Sequence, residues 1–101
     1  MNNAEYLHGV TRTMNARLTL QEHLLIGALG LCGESGEVAD LVKKALAHET
    51  TIDSGRLQEE VSDVLWYVAL ICKVQGWILE DLMQANIAKL QQRYPEGWPA
   101  S

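Results

Sequence analysis

The sequence predicts an all-α fold, a four-helix bundle that is completed by homo-oligomerisation. Apolar residues recur at helical spacing in four segments, helix start and stop signals separate these segments, and no segment alternates as a strand would. The 101 residues are expected to form a single domain, residues 1–101, yet 48% of them are apolar. Because so short a chain has little interior, part of this apolar surface is expected to face another subunit.

The helix boundaries are predicted from capping signals. Thr19 and Glu22 form a capping box, in which each side chain accepts a hydrogen bond from a free backbone N–H group. Asp53 or Ser54 can cap the third helix, and Gly76 is suited to end it. The four helices are expected over about residues 3–15, 20–48, 55–74 and 79–93.

Two features of the central helices require a cause. The second helix carries four glycines, each three residues after the last: Gly27, Gly30, Gly33 and Gly36. Each glycine lowers helix stability by about 1 kcal/mol relative to alanine. Either a neighbouring helix or a ligand can approach such a row closely. Residues 64–72 of the third helix are apolar on every side, so they must be covered all round, and homo-oligomerisation is the simplest means.

Acidic residues next to apolar sequence are the strongest candidates for a functional site. Glu34 and Glu37 in the second helix, and Glu60 and Asp63 in the third, are each spaced i, i+3 and therefore share a helix face. If the two helices pack antiparallel, the four carboxylates can converge. They would then repel one another unless cations joined them, and an all-oxygen cluster suits Mg²⁺ or Mn²⁺. The alternative is that both pairs are ordinary solvated acids.

The fourth helix carries a polar stripe that could complement such a metal site. Asn86, Lys89 and Arg93 are spaced three and four residues apart, and Ile87 and Leu90 between them are expected to mark its buried side. Cations in this arrangement can bind phosphate oxygens. They can equally be cations that stabilise the C-terminal end of a helix dipole.

Composition narrows the classes of function. The net charge is −5 and the cations are dispersed, which argues against nucleic acid as a partner. Neither a signal peptide nor a membrane span is apparent, so a cytoplasmic protein without a membrane partner is expected. Cys32 and Cys72 lack zinc-site spacing and are expected to be buried, reduced thiols. The three histidines are expected to be surface or structural residues.

Three ordered stretches form a recognisable set of motifs: residues 30–44 (GLCGESGEVADLVKK), residues 59–69 (EEVSDVLWYVA) and residues 86–95 (NIAKLQQRYP). They resemble, in this order, the first motif, the second motif and the C-terminal signature of the MazG-like nucleotide pyrophosphohydrolases, of the all-α NTP pyrophosphatase superfamily. The resemblance covers about residues 20–98. Two departures are Ser62, where the family usually has glycine, and Trp98, where phenylalanine is common.

The resemblance implies an enzyme that hydrolyses a (d)NTP to the (d)NMP and pyrophosphate as a homodimer or homotetramer. Removal of damaged nucleotides from the pool is the expected role, while control of dNTP pools and depletion of a signalling nucleotide fit the same activity. The resemblance also implies that the residues that bind Mg²⁺ and carry out catalysis are Glu34, Glu37, Glu60 and Asp63. Mn²⁺ is a possible substitute for Mg²⁺. Asn86, Lys89 and Arg93 would contact the triphosphate, and Asp40 is a weaker candidate that can instead pair with Lys43 or Lys44. A dUTPase, a phosphoribosyl-ATP pyrophosphohydrolase and a non-catalytic helical interaction module are the alternatives.

Overall fold

A computed structural model describes residues 1–99, in which the regular elements are four α-helices without a β-strand. The helices are α1 (Asn3–Arg12), α2 (Leu20–Ala47), α3 (Ser54–Gln75) and α4 (Leu79–Arg93). The all-α prediction is therefore confirmed. No single helix among the described residues is long and apolar enough to cross a membrane; α3 and α4 pass that test of length and composition only as a pair bent by 108°.

The residues predicted to cap α2 and α3 form these caps in the structure. The Thr19 hydroxyl accepts a hydrogen bond from the Glu22 amide at 3.1 Å, and the Glu22 carboxylate accepts one from the Thr19 amide at 3.0 Å. Asp53 caps α3 by accepting from the backbone N–H of Arg56. Gly76 ends α3 with a φ of 69°, in the left-handed region that glycine adopts without strain.

The first helix ends earlier than predicted. It stops at Arg12 rather than at residue 15: Thr13 is its C-cap, and the Thr13 hydroxyl donates to the carbonyl oxygens of Gly9 and Val10. The following turn is held from α2, where the buried His23 donates through Nε2 to the Asn15 carbonyl oxygen at 2.9 Å. This histidine is structural, as expected.

The core is small and lies where α1 crosses α3. Val10, Ala69 and Leu70 are almost fully buried there, and side chains of α1, of the turn that follows it and of α3 surround them. The partly buried residues packed against them are Tyr6, Met14, Trp66, Tyr67 and Val74. Trp66 ties the two helices together, since its Nε1–H donates to the Thr13 hydroxyl at 2.9 Å.

Helices α2 and α3 form the main packing interface and run antiparallel. A Cβ atom added at Gly27 would lie 2.8 Å from Ile71 Cγ1, and one added at Gly30 would overlap the ring of Tyr67. Close approach of a neighbouring helix therefore explains the glycines at these two positions. Gly33 and Gly36 have open space around them instead.

Two expectations about burial are wrong for the single chain. Cys32 is exposed, while only Cys72 is buried. On α4, Ile87 is 54% and Leu90 37% exposed, although both were expected on a buried side. The physical reason is that α4 packs only marginally against the other three helices and buries none of its residues.

Candidate metal centre

Three acidic side chains from α2 and α3 meet at one point. Glu34, Glu60 and Asp63 each offer a carboxylate oxygen, and these oxygens lie within 4.8 Å of one another. Glu34 and Glu60 are partly buried, whereas Asp63 is exposed. We call these three residues the acidic cluster.

The glycine–tyrosine contact between the helices positions this cluster. Gly30 lets the ring of Tyr67 lie directly against the α2 backbone. One helical turn further along α2 is Glu34, and one turn earlier on the antiparallel α3 is Asp63. The same close approach that packs the helices therefore brings their carboxylates together.

The electrostatics of the cluster favour a bound cation. Partial burial raises the pKa of Glu34, and the charge of Asp63 and a hydrogen bond with Glu60 raise it further. Salt bridges among the described residues involve only Asp40, so no lysine or arginine neutralises the cluster. An uncompensated set of three oxygen donors fits a hard divalent cation such as Mg²⁺.

The fourth predicted ligand, Glu37, lies beside the acidic cluster rather than in it. Its oxygens are outside the group of mutually close carboxylates, but its charge still contributes to the raised pKa of Glu34. Asp40, one turn further, bonds Lys44 at 2.8 Å and also lies 3.8 Å from Lys43. The hydrogen bond from Lys44 lowers the pKa of Asp40, so this acid has the ion-pairing role proposed as its alternative.

Tyr6 approaches the cluster from α1, although no motif in the sequence indicates it as a site residue. Burial raises the pKa of its hydroxyl, and the negative charge of Asp63 raises it further. The apolar spacing of α1 indicated only that Tyr6 faces the core, as it does. Its proximity to Asp63 depends on how α1 crosses α3, for which the sequence carries no local signal.

Residues 21–98 match the family model of the MazG nucleotide pyrophosphohydrolase domain. The chain belongs to this family. The MazG family acts on nucleotides and generally depends on divalent metal ions. The chain is also similar to the "Gene 37 protein" of Mycobacterium phage L5, with 39% identity over 80 residues that cover 75% of this chain and 70% of the phage protein. No solved structure matches the chain.

The departures from the usual MazG motifs leave the acidic cluster intact. Ser62 directs its hydroxyl back along α3, where it donates to the Glu59 carbonyl oxygen at 2.6 Å. Trp98 lies beyond α4 and packs against Tyr94, with ring centroids 5.2 Å apart. Neither side chain is one of the clustered carboxylates.

The stripe that resembles the MazG C-terminal signature lies on α4, which packs only marginally against the helices that carry the acidic cluster in one chain. Asn86, Lys89 and Arg93 are all exposed on α4. Asn86 and Lys89 border an open depression formed by α4 alone. Among the described residues, neither Lys89 nor Arg93 belongs to a salt bridge. Within the single chain, then, the predicted metal ligands and the predicted phosphate ligands are separate.

Proposed function

We propose that this protein is a Mg²⁺-dependent nucleoside triphosphate pyrophosphohydrolase that converts a (d)NTP and water into the (d)NMP and pyrophosphate. The observation that carries the proposal is the convergence of Glu34, Glu60 and Asp63 from two helices of a MazG domain. The role of the enzyme would be to remove unwanted nucleotides from the nucleotide pool. Because those nucleotides are dissolved in the cytoplasm, we expect the enzyme to act in the cytoplasm, as a homodimer or homotetramer.

The acidic cluster would hold the metal, with Glu37 as a further ligand on the same face of α2. Oxygen ligands at this spacing suit Mg²⁺, and Mn²⁺ could substitute for it. When bound, the metal would supply charge neutralisation at the phosphates and lower the pKa of a water molecule. The raised pKa of Glu34 supports this assignment, because it reflects carboxylates that a cation would stabilise.

One of the protein's carboxylates would also act as the general base for the attacking water. One of Glu34, Glu37 or Glu60 would orient this water and accept its proton as a new P–O bond forms. The anhydride bond between the α and β phosphates breaks in the same displacement, and its bridging oxygen leaves on one of the two products. A base positioned in this way contributes about 10²–10⁴-fold to the rate.

Asn86, Lys89 and Arg93 would bind the triphosphate. An ammonium and a guanidinium on one helix face can hold several phosphate oxygens and stabilise the charge that develops on the leaving group. Their exposure and their lack of salt bridges in the described residues support this role, since cations of this kind are free for a ligand. Removing one such group is expected to lower kcat by about 10²–10³-fold.

The test combines pyrophosphate release with ligand-dependent thermal stability. Asp63→Asn should lower turnover by about 10²-fold or more, and should abolish the rise in Tm that Mg²⁺ and a non-hydrolysable triphosphate produce in the unmodified protein. Glu59→Gln is the matched control, because Glu59 is an exposed acid of the same helix outside the acidic cluster. It should behave as the unmodified protein does.

Two results would contradict the proposal. Full turnover in a folded Asp63→Asn variant would remove the acidic cluster from the chemistry. No Mg²⁺-dependent stabilisation of the unmodified protein, together with no turnover, would instead favour a non-catalytic helical module. A screen of canonical and modified (d)NTPs, including dUTP and phosphoribosyl-ATP, would identify the substrate and separate the proposed enzyme from its superfamily relatives.

A further inference from the structure

Two cations lie beside the acidic cluster on the face that α2 and α3 share. Lys44 follows Glu37 by seven residues on α2, and Arg56 precedes Glu60 by four residues on α3. Both spacings are close to whole helical turns, so each cation lies on the same face of its helix as the acid. Because the two helices run antiparallel, both cations lie on the side of the cluster toward the loop between α2 and α3.

The contacts of Lys44 support this placement. Its Nζ atom lies 2.8 Å from Oδ2 of Asp40, which is one turn back along α2, so the side chain extends toward the acidic cluster. The hydrogen bond to Asp40 and the charge of Asp40 raise the pKa of Lys44. The charge of Glu37 raises this pKa further, and the charge of Arg56 opposes the rise. The ammonium of Lys44 therefore lies within electrostatic range of both Glu37 and Arg56.

The protein itself leaves most donors of the two cations free. Lys44 is 65% exposed, and its salt bridge with Asp40 occupies one of the three N–H donors of its ammonium. An exposed ion pair of this kind is weak, so an anion can compete for Lys44. Arg56 is exposed and forms no salt bridge with any described residue. Both side chains can therefore donate to a bound anion.

The opposite flank of the acidic cluster has a different chemistry. Beyond Asp63 along α3, helix α1 packs across α3, and the side chains between these helices are apolar or aromatic, among them Val10, Leu70 and Trp66. The flank toward the α2–α3 loop instead carries the two cations. A ligand that is anionic at one end and uncharged at the other fits this division best with its anionic end toward the loop.

We propose that Lys44 and Arg56 form a pyrophosphate subsite, which binds the terminal phosphates of the substrate and then the pyrophosphate product. The identity of this ligand rests on the proposed function, whereas the position of the two cations rests on the helix geometry. The nucleotide lies along the face shared by α2 and α3, with its terminal phosphates toward the loop. An ammonium and a guanidinium together donate to several oxygens of one pyrophosphate. The polar stripe of α4 contacts other oxygens of the same ligand.

Product inhibition in the presence of Mg²⁺ tests the subsite. Lys44→Gln and Arg56→Gln should each raise the inhibition constant of pyrophosphate by about tenfold, because each loses a charge-assisted hydrogen bond. The inhibition constant of the nucleoside monophosphate should not change, because this product lacks the terminal phosphates. A purely structural role would shift both constants together. Equal increases for both products, or no increase for pyrophosphate, overturn the proposal.

Lys43→Gln is the matched control. Lys43 is a neighbour of Lys44 and lies 3.8 Å from the same acid, Asp40, but it points about 100° further round α2. Its replacement should leave both inhibition constants unchanged. An increase for pyrophosphate as large as that of Lys44→Gln would show that only the general charge of the surface matters, and would overturn the proposal.

Replacing the acid that competes for Lys44 should have the opposite effect. Asp40→Asn frees the ammonium of Lys44 from its salt bridge. The inhibition constant of pyrophosphate should therefore fall by about two- to fivefold, comparable to the strength of an exposed ion pair. If the ion pair only held α2 in shape, the same change would weaken binding. An unchanged or higher inhibition constant in folded Asp40→Asn overturns the proposal.

Calorimetric titration with inorganic pyrophosphate and Mg²⁺ distinguishes failure of the subsite from failure of the proposed function, because it needs no turnover. If no nucleotide is hydrolysed but Lys44→Gln weakens pyrophosphate binding, the proposed function fails and the subsite stands. If nucleotides are hydrolysed and Lys44→Gln binds pyrophosphate as the unmodified protein does, the subsite fails and the proposed function stands. Absence of pyrophosphate binding by the unmodified protein also overturns the subsite.

Discussion

Replacing Gly30 with alanine should separate α2 from α3 at the point that positions the acidic cluster. The added Cβ would overlap the ring of Tyr67. That ring cannot easily swing away, because it packs edge-on against Trp66 at 5.1 Å and Trp66 is itself bonded to Thr13. The helices must therefore move apart or Tyr67 must leave its rotamer.

The expected magnitude is the difference between two opposing effects. Alanine gains about 1 kcal/mol of helix propensity over glycine. Overpacking of a rigid contact costs typically about 1–3 kcal/mol, and here the overlap with Tyr67 lies at the severe end. Gly30→Ala should thus lower the free energy of unfolding by about 1–2 kcal/mol, and Tm should fall by roughly 4–8 °C for each kcal/mol.

Gly33→Ala is the matched control on the same helix. A Cβ added there has no neighbour within 4 Å, so only the propensity gain of up to about 1 kcal/mol applies and Tm should rise. Urea unfolding at fixed protein concentration measures both variants, and the Mg²⁺-induced rise in Tm reports the acidic cluster. Gly30→Ala should weaken that rise. In a double-mutant cycle with Tyr67→Ala, strictly additive costs, or equal effects at positions 30 and 33, would refute the reasoning.

Three further perturbations follow from local contacts. Trp66→Phe loses both indole packing and the bond to Thr13, and the bond should account for about 1 kcal/mol. Urea unfolding of Trp66→Phe, Thr13→Val and the double variant measures this part as their coupling energy, and strictly additive costs would contradict it. Hydrogen bonds from Thr19 lower the pKa of Glu22, so its stabilisation is present above the unfolded-state pKa and is lost as pH falls through the folded one. The drop in Tm on acidification should therefore be smaller in Glu22→Gln, and an unchanged drop in thermal melts from pH 7 to 3 would count against the capping role. In the presence of a metal chelator, Glu34→Gln should raise Tm because it removes repulsion among the carboxylates. It should also reduce the rise in Tm that Mg²⁺ produces. A lower Tm in chelator, with a larger rise on adding Mg²⁺, would show that the acids do not repel one another.

Much of the local structure could be predicted because its causes are local. The Thr19–Glu22 capping box, the Asp53 cap and the left-handed Gly76 involve residues at most four positions apart. The helical spacing of the two acid pairs also limited where their carboxylates could point. Three of the four proposed metal ligands converge for this reason, once α2 and α3 pack antiparallel.

What the sequence by itself determined was the helical class, most helix ends and the faces on which the acids lie, since periodicity and capping act over a few residues. Only the tertiary structure decided that α4 stands away from the acidic cluster, that Glu37 lies beside it and that Tyr6 approaches Asp63. These features depend on how rigid helices cross one another. A crossing angle is set by contacts between residues far apart in the chain, such as Gly30 with Tyr67 and Trp66 with Thr13.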